Sequence, residues 1–170
     1  MRVAYADPPY IGQSAKHYRD HPDYAGEVDH RILFGHLKAF DGWVLHASSP
    51  SLAEVLHAAE WMGMKDYRVM AWVKPFAAFK RNVPVAYAWE PVLVKPCRKP
   101  VVAGRMVMRD WISEPITMKR GLTGAKPEAV CWWAFEVAGM TADDELIDLY
   151  PGTGAVARAW QHWRESWLVA

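Results

Sequence analysis

Short apolar segments alternate with amphipathic segments along this chain, and the alternation restricts the folds open to it. Runs with the length and composition of β-strands lie at residues 2–6, 42–47, 67–73, 89–95 and 145–150. Apolar residues recur with helical spacing at residues 27–40, from Ser49-Pro50 onward, at 126–139 and at 155–163. This order predicts an α/β fold with a mostly parallel, doubly wound sheet.

The remaining stretches have no regular pattern. Residues 74–88 form a long connection between two predicted strands, and such connections inside compact domains are usually functional. Residues 98–125 are also predicted to be irregular, and residues 166–170 are predicted to form a short final strand. We expect the strand at 89–95 to lie at an edge of the sheet.

Size and charge limit the classes of protein. The chain has 170 residues and a net charge of +1, which fits one domain over residues 1–170 and excludes a globally basic coat for nucleic acid. Two cysteines without a C-x-x-C pair predict neither a disulfide framework nor a zinc site. The chain shows no signal peptide, and its longest apolar run, 129–135, is too short to span a membrane. We therefore expect a soluble, cytoplasmic protein.

The tetrapeptide Asp7-Pro8-Pro9-Tyr10 follows directly after the first predicted strand. Each proline has a fixed φ, lacks an N–H donor and holds the preceding residue extended. The loop therefore presents a carboxylate, a carbonyl oxygen and an aromatic face in fixed relation. It does so at the carboxyl end of a strand, where open α/β sheets bind ligands.

This loop matches the requirements of an exocyclic amino group on a planar base. Asp7 can accept one N–H of the amine, the Pro8 carbonyl can accept the other, and Tyr10 can stack on the ring. Two acceptors outside the ring plane favour a pyramidal nitrogen and free its lone pair for reaction. The alternative interpretation is a proline-stiffened end of a strand without a chemical role.

A second motif lies near the carboxyl end of the chain. Asp148 ends a predicted strand, and Gly152 and Gly154 lie at the turn into a helix, where a ligand can approach the backbone and the free N–H groups. The spacing Gly152-x-Gly154-x-x-Ala157 also matches a dinucleotide fingerprint, which requires an acidic residue ~20 positions later. A tight strand–helix turn without a ligand is the third alternative.

These two motifs together resemble a known family. Asp7-Pro8-Pro9-Tyr10 resembles the catalytic motif of amino-group methyltransferases, which modify adenine N6 or cytosine N4 with S-adenosylmethionine (SAM). The segment 148–154 is similar to their cofactor motif D-P-F-x-G-x-G, and Lys126-Pro127 resembles the K-P segment that precedes it. The catalytic motif comes first, as in the permuted groups, which include adenine-specific DNA enzymes of phages, and as in the MT-A70 group.

The resemblance implies a Rossmann-like methyltransferase fold with circularly permuted motif order, and roles for individual residues. It implies that Asp7, Pro8, Pro9 and Tyr10 hold the target base. It implies that SAM is bound by Asp7, Lys126, Asp148, Tyr150, Gly152 and Gly154, with Lys126 on the cofactor carboxylate. The most direct expectation is methylation of adenine N6 in DNA.

The chain departs from the family pattern at three points. Leu149 replaces the usual proline, and Tyr150 replaces the usual phenylalanine. The fold is expected to be truncated after the cofactor motif, because the acidic residue that binds the ribose in the family has no counterpart after 166–170. A catalytically weak or inactive binding module for nucleic acid or a host protein is therefore the alternative. No separate target-recognition domain is expected.

Basic and aromatic residues alternate in two of the connections. Residues 11–26 are predicted to form a flap whose Lys16, Tyr18 and Arg19 contact nucleic acid. In the connection 74–88, the same role is predicted for Lys74, Phe76, Lys80 and Arg81. The alternative for both is a solvated loop, with the aromatic residues of 74–88 packed beneath it.

The sequence also leads to expectations about metal ions, nucleic acid and self-association. His17 and His21 have the i, i+4 spacing of metal ligands, but Pro22 and Gly26 argue against a helix there, so no metal site is expected. The expected partner is nucleic acid, with DNA favoured over RNA. A homodimer is expected because permuted relatives often pair, and the location would be the host-cell cytoplasm for a phage-encoded protein.

Overall fold

The computed structural model describes residues 1–12, 26–75, 82–99, 107–117 and 125–168. Its strands are β1 (Arg2–Ala6), β2 (Gly42–His46), β3 (Arg68–Val73), β4 (Trp89–Lys95), β5 (Trp111–Ser113) and β6 (Glu145–Asp148). Its helices are α1 (His30–Leu37), a 3₁₀ turn (Ser49–Ser51), α2 (Leu52–Trp61), α3 (Glu128–Val137) and α4 (Ala155–Leu168).

The six described strands form one mixed sheet in the order β5-β3-β4-β2-β1-β6. β1 pairs in parallel with β2 and β6, and β3 pairs in parallel with β5. β4 is antiparallel to both of its neighbours, β2 and β3. Five of these strands therefore run in one direction and β4 runs in the other, so the predicted mostly parallel sheet is confirmed.

Helices cover both faces of the sheet. α1 and α2 pack with alternate residues of β1 and β2, such as Ala4 and Leu45, on one face. α3 and α4 pack on the other face, against residues that include Tyr5 and Trp72. This three-layer arrangement confirms the doubly wound α/β architecture, because a sheet apolar on both faces must be covered twice.

Side-chain caps explain where the first helix begins. Asp29 is the N-cap of α1, and its Oδ1 accepts hydrogen bonds from the backbone N–H groups of Arg31 and Ile32. A cap of this kind satisfies two donors that have no partner inside the helix. The helix therefore starts at His30, three residues after the start predicted from apolar spacing alone.

Three predictions about secondary structure are wrong. The region 98–125 contains β5, which is short and pairs only with β3 at the sheet edge. The strand at 89–95 is inside the sheet rather than at its edge, although Pro91 lacks an N–H; its carbonyl still accepts from the Ala47 N–H. Residues 166–168 continue α4 instead of forming a final strand, and residues 169–170 lie outside the description.

Aromatic packing holds α4 against α3. Trp160 and Trp163 stack at 5.2 Å between ring centroids, and both rings meet Phe135 of α3 edge-on. Aromatic contacts at this helical spacing hold the second half of α4 on α3. In the part of the chain that the structure describes, no helix is long and apolar enough to cross a membrane.

Candidate active site

The two motifs singled out in the sequence lie side by side at the carboxyl ends of neighbouring strands. Asp7 follows β1 and Asp148 ends β6, and the two strands are parallel with Tyr5 opposite Asp148. The Leu149 N–H donates to the Tyr5 carbonyl at 2.9 Å, which continues the pairing to the start of the second motif. A ligand at the carboxyl ends of these two strands can therefore contact both motifs.

Lys126, which precedes α3, reaches over the end of the sheet onto the first motif. Its Nζ lies 3.0 Å from Asp7 Oδ1 and 2.6 Å from Glu90 Oε1, and it donates to Tyr10 Oη at 3.2 Å. The side chain is only 6% exposed. Burial by itself lowers the pKa of an ammonium, but the carboxylates of Asp7 and Glu90 outweigh it and raise the pKa of Lys126 well above its usual value.

Glu90, the second residue of β4, is the centre of this charged cluster. Its Oε1 accepts from Lys126 Nζ and from His46 Nδ1 at 3.0 Å, and its Oε2 accepts from Lys74 Nζ at 2.8 Å. Burial alone would raise the pKa of this carboxyl. The charge of Lys126, the hydrogen bond from His46 and the charge of Lys74 instead hold the pKa of Glu90 well below its usual range. Glu90 is therefore an ionised, buried carboxylate with three donors.

His46 extends the cluster into the core. Burial and the nearby Lys126 charge lower the pKa of His46, so its ring is neutral at pH 7. With Glu90 ionised, Nδ1 carries the proton and donates to it, and Nε2 accepts the Tyr5 O–H at 2.7 Å. Cys131 of α3 lies beyond Tyr5, with its Sγ 3.9 Å from the hydroxyl. Burial raises the pKa of the Cys131 thiol to about 12, so the thiol stays protonated.

The alternation of strand side chains explains why these residues meet. Tyr5 of β1 and Val92 of β4 belong to the core on the α3 side of the sheet, and Glu90, two residues before Val92, shares that face. Asp7 directly follows β1 and meets Lys126 from the same layer as α3. Because β4 runs in the opposite direction, its first residues lie beside the carboxyl ends of β1, β2, β3 and β6. Trp72 lies beneath the two ammonium groups, with its ring 4.6 Å from Lys74 Nζ and 5.2 Å from Lys126 Nζ.

The second motif offers an acceptor and an open turn. Asp148 Oδ1 accepts the Tyr150 N–H at 3.1 Å, whereas the buried Oδ2 has no hydrogen-bond partner among the described residues. Burial, followed by the charge of Asp7, raises the pKa of Asp148 from its usual value. Gly152 and Gly154 have φ values of +41° and +69°, which favour glycine. An unpartnered carboxylate oxygen beside such a turn fits a ligand with a donor group, as the cofactor interpretation requires.

The donor set also bears on metal binding. Asp7, His46 and Glu90 each place one ligand atom within 4.8 Å of the others. The Lys126 ammonium, however, contacts both carboxylates of this set. The cation of this site is therefore Lys126, and a metal ion would have to displace it.

The structure brings together some of the predicted site residues but not all of them. Pro8 is buried, and Pro9 and Tyr10 are partly exposed beside Asp7. Lys74 turns inward to Glu90 and is 18% exposed, so its predicted contact with nucleic acid stays a prediction. The other predicted nucleic-acid contacts lie outside the described residues, as do His17 and His21; these contacts are Lys16, Tyr18, Arg19, Phe76, Lys80 and Arg81.

Sequence reasoning missed Glu90, His46 and Tyr5 as parts of the site. A signal existed for Glu90, because in the strand sequence WEPVLVK it shares the period-two face of Val92 and Val94. A charged residue on a buried face of a strand requires a partner, and the partners here come from β2, from the residue after β3 and from the segment before α3.

A shallow cleft lies at the beginning of β4. It has a volume of about 340 Å³ and opens between the 3₁₀ turn after β2 and the residues that lead into β4. Its lining is mostly apolar and aromatic and consists of Ser49, Val83, Pro84, Val85, Ala86, Tyr87 and Trp89. Tyr87 and Trp89 are exposed, so their rings are accessible at the same edge of the sheet as Asp7.

Comparisons with solved structures assign this arrangement to the Rossmann-like methyltransferase fold, as predicted. The complex of M1.HpyAVI with SAM is similar to this chain with a TM-score of 0.61 and 18% identity, over 95% of this chain and 78% of that one. A second structure of M1.HpyAVI is similar with a TM-score of 0.51 and 13% identity, over 96% and 76% of the two chains. No protein-family model and no curated protein matches the sequence.

Proposed function

We propose that this protein is a SAM-dependent methyltransferase that acts on the exocyclic amino group of a base in nucleic acid, most directly adenine N6 in DNA. The single observation that carries the proposal is the placement of Asp7-Pro8-Pro9-Tyr10 beside Asp148 on adjacent parallel strands. The fold shared with M1.HpyAVI, which has been crystallised with SAM, supports the same conclusion. The chain would act as a single methyltransferase-like domain over residues 1–170.

SAM as the cofactor agrees with the residues at the second motif. SAM supplies a methyl group on a positively charged sulfur atom, which needs no further activation. Asp148 offers its unpartnered Oδ2 to a donor of the ligand, and Gly152 and Gly154 let the ligand approach the backbone. Tyr150, which is half-buried beside this turn, supplies an aromatic face.

The first motif would hold the target base. Asp7 accepts one N–H of the amino group and the Pro8 carbonyl accepts the other, while the ring of Tyr10 stacks on the base. Reaching this edge of the sheet requires the base to leave the stack of a duplex. After methyl transfer, the surplus proton of the amine passes to Asp7 or to water.

For Lys126 we propose a role different from the one implied by the resemblance. Its contacts with Asp7, Glu90 and Tyr10 support a role in holding the base-binding loop. Contact with the cofactor carboxylate stays a prediction. Calorimetry on Lys126→Gln separates the two roles, because a carboxylate contact predicts a loss of at least ~10-fold in SAM affinity and a loop-holding role predicts little change.

Transfer of labelled methyl groups tests the proposed function. Wild-type protein is incubated with labelled SAM and with DNA or RNA, beside Asp7→Ala and the control Asp41→Ala. Asp41 is an exposed acid that precedes β2, at the end of the sheet opposite to Asp7. We expect label in DNA with wild type and the control, and none with Asp7→Ala. Equal labelling by wild type and Asp7→Ala would refute the catalytic assignment.

Two further measurements identify the base and test the alternative of a binding module. Mass spectrometry of nucleosides from cells that express the protein reports N6-methyladenine, N4-methylcytosine or neither. Calorimetry with SAM and with its demethylated product measures cofactor binding directly. No heat at millimolar SAM, together with binding of nucleic acid, would favour the catalytically weak module instead.

A further inference from the structure

Glu90 has no part in the proposed reaction, yet three side chains of the site, His46, Lys74 and Lys126, donate to its carboxylate. It is 4% exposed, and its two oxygens accept from side chains on β2, directly after β3 and before α3. One of these donors, Lys126, also contacts Asp7. Glu90 thus stands one residue away from the proposed base-binding carboxylate.

We propose that Glu90 is a positioning residue for Asp7, acting through Lys126. The Lys126 ammonium joins Glu90 Oε1 to Asp7 Oδ1, so the position of Glu90 fixes the ammonium and the ammonium fixes the carboxylate. The target amine is then received by the other oxygen of Asp7. This inference rests on the proposed function, because it assigns Asp7 to the amino group of the base.

The geometry shows that Glu90 itself is held firmly. Its Oε1 is shared between Lys126 and His46, and the ring of His46 is oriented by the hydroxyl of Tyr5. Its Oε2 is bound by Lys74, whose ammonium lies over Trp72. Three donors from three directions leave one orientation of the carboxylate, and a carboxylate held in this way is a fixed reference point for Lys126.

The balance of charge explains what its removal would do. Lys126 Nζ is 2.6 Å from Glu90 and 3.0 Å from Asp7, so the ammonium is divided between two anions. Glutamine at position 90 keeps the shape, but it has one acceptor oxygen in place of two and no charge. Lys126 would then pair with Asp7 alone. In the variant the Lys126 ammonium would compete with the target amine for the Asp7 carboxylate.

A purely structural role for Glu90 makes a different prediction, and Asp144 supplies the matched control. Asp144 is also a buried carboxylate, and Arg98 donates to both of its oxygens at 2.6 Å. It precedes β6, whereas Asp7 follows the parallel strand β1, so the two residues lie at opposite ends of the strands. Asp144→Asn thus removes a buried charge with strong partners without touching the proposed site.

The first measurement separates kcat from KM. Glu90→Gln, Asp144→Asn and wild type are assayed with labelled SAM and DNA at a temperature where circular dichroism shows each to be folded. We expect Glu90→Gln to lower kcat by ~10- to 100-fold, which is the size of effect that a misplacement of about 1 Å produces, with KM for SAM within ~3-fold. Asp144→Asn should retain kcat within ~3-fold. Equal kcat for Glu90→Gln and wild type would overturn the positioning role.

A double-mutant cycle tests whether Glu90 acts through Lys126. Glu90→Gln is introduced into wild type and into Lys126→Gln, and kcat is compared. If Lys126 carries the effect, Glu90→Gln changes kcat by less than ~3-fold once Lys126 has been replaced. An undiminished loss in the Lys126→Gln background would contradict the proposal. If Glu90→Gln does not fold, Glu90→Asp, which is shorter by one methylene, replaces it in the same cycle.

Crystal structures of wild type and Glu90→Gln keep this inference separate from the proposed function. Absence of methyl transfer by wild type would refute the function, whatever Glu90 does. The structures then report directly whether Asp7 depends on Glu90: we expect Lys126 Nζ between the two carboxylates in wild type and displaced toward Asp7 in the variant. An unchanged Asp7 and Lys126 in the variant would overturn the positioning role.

Discussion

The ammonium of Lys126 lies 3.0 Å from Oδ1 of Asp7, although the two residues are far apart in the sequence and come from different layers of the fold. Asp7 follows strand β1, and Lys126 precedes the helix α3 that covers this face of the sheet. The contact therefore ties the proposed base-binding loop to the helical layer, and it places a positive charge next to the carboxylate that would accept the target amine.

The first prediction concerns the ring of Tyr10. We expect Tyr10→Phe, which keeps the ring and removes the hydroxyl contact with Lys126, to retain affinity for single-stranded DNA within ~3-fold. Tyr10→Ala removes the stacking face, which is worth about 1–3 kcal/mol per base, so its affinity should fall by ~5- to 150-fold. Fluorescence anisotropy with a labelled oligonucleotide measures both. Equal affinities of the two variants would show that the ring does not stack.

The second prediction concerns Asp148. Asp148→Asn should bind SAM at least ~10-fold more weakly in calorimetry, because one acceptor oxygen and the charge are lost. The turn should persist, because the amide oxygen can still accept the Tyr150 N–H. The free energy of unfolding at pH 7 should be equal or higher, because the variant no longer buries a carboxylate whose Oδ2 has no partner among the described residues.

The pH dependence of that stability follows from the raised pKa of Asp148. A raised carboxyl pKa means that folding disfavours the ionised form, so this group destabilises the protein above its folded-state pKa. The advantage of Asp148→Asn in urea unfolding should therefore be full above the raised folded-state pKa, shrink as the pH falls from there toward the usual carboxyl pKa of 3.8, and be absent below 3.8. A variant that is less stable than wild type at pH 7 would contradict this explanation.

The third prediction concerns Asp144 and Arg98. Burial would raise the pKa of Asp144, but its hydrogen bonds with Arg98, the amino terminus and the Thr141 N–H hold the pKa well below its usual value. The group therefore stabilises the fold above its unfolded pKa, and this stabilisation is lost as the pH falls. We expect Asp144→Asn to lower the free energy of unfolding at pH 7 by about 1.5–3 kcal/mol in urea titrations, with a smaller difference at pH 3.

The fourth prediction compares two glycines. A Cβ at Gly42 would lie 2.5 Å from the backbone nitrogen of Cys97, so Gly42→Ala must push β2 away from the segment that follows β4 and should cost about 1–3 kcal/mol. A Cβ at Gly35 of α1 would meet only the end of Met62 at an ordinary 3.7 Å. Gly35→Ala should therefore stabilise the protein by about 0.5–1 kcal/mol, because alanine loses less conformational entropy in a helix. Thermal unfolding of both variants measures the two changes in stability. Changes of the same sign in both variants would contradict this explanation.

Most of the architecture could be predicted from local pattern. The strand at 2–6 and the helix after Pro127 were predicted with nearly their observed bounds, because apolar spacing and a proline mark them directly. β5 could not be predicted, since three residues carry too little pattern and its pairing with β3 is a tertiary contact. The end of α4 was mispredicted because residues 166–168 continue the preceding helix, although their β-prone composition suggested a strand.

The candidate site was predictable only where a motif marks it. Asp7 and Asp148 stand in recognisable sequences, and the topology of parallel strands brings them together. Glu90 and His46 stand in apolar strands without a motif. Their importance depends on the register of β4 against β2 and β3, which the sequence does not encode locally.

Because β4 runs antiparallel to β3, the charged cluster is anchored by the strand ends and is independent of the connection between the two strands. Val73 and Trp89 are opposite each other in the β3–β4 pair, so Lys74 and Glu90 are anchored at adjoining strand ends. The connection between them can gain or lose residues without shifting either anchor. A lineage of such proteins can therefore exchange this connection, where contacts with nucleic acid are predicted, while inheriting the charged cluster intact.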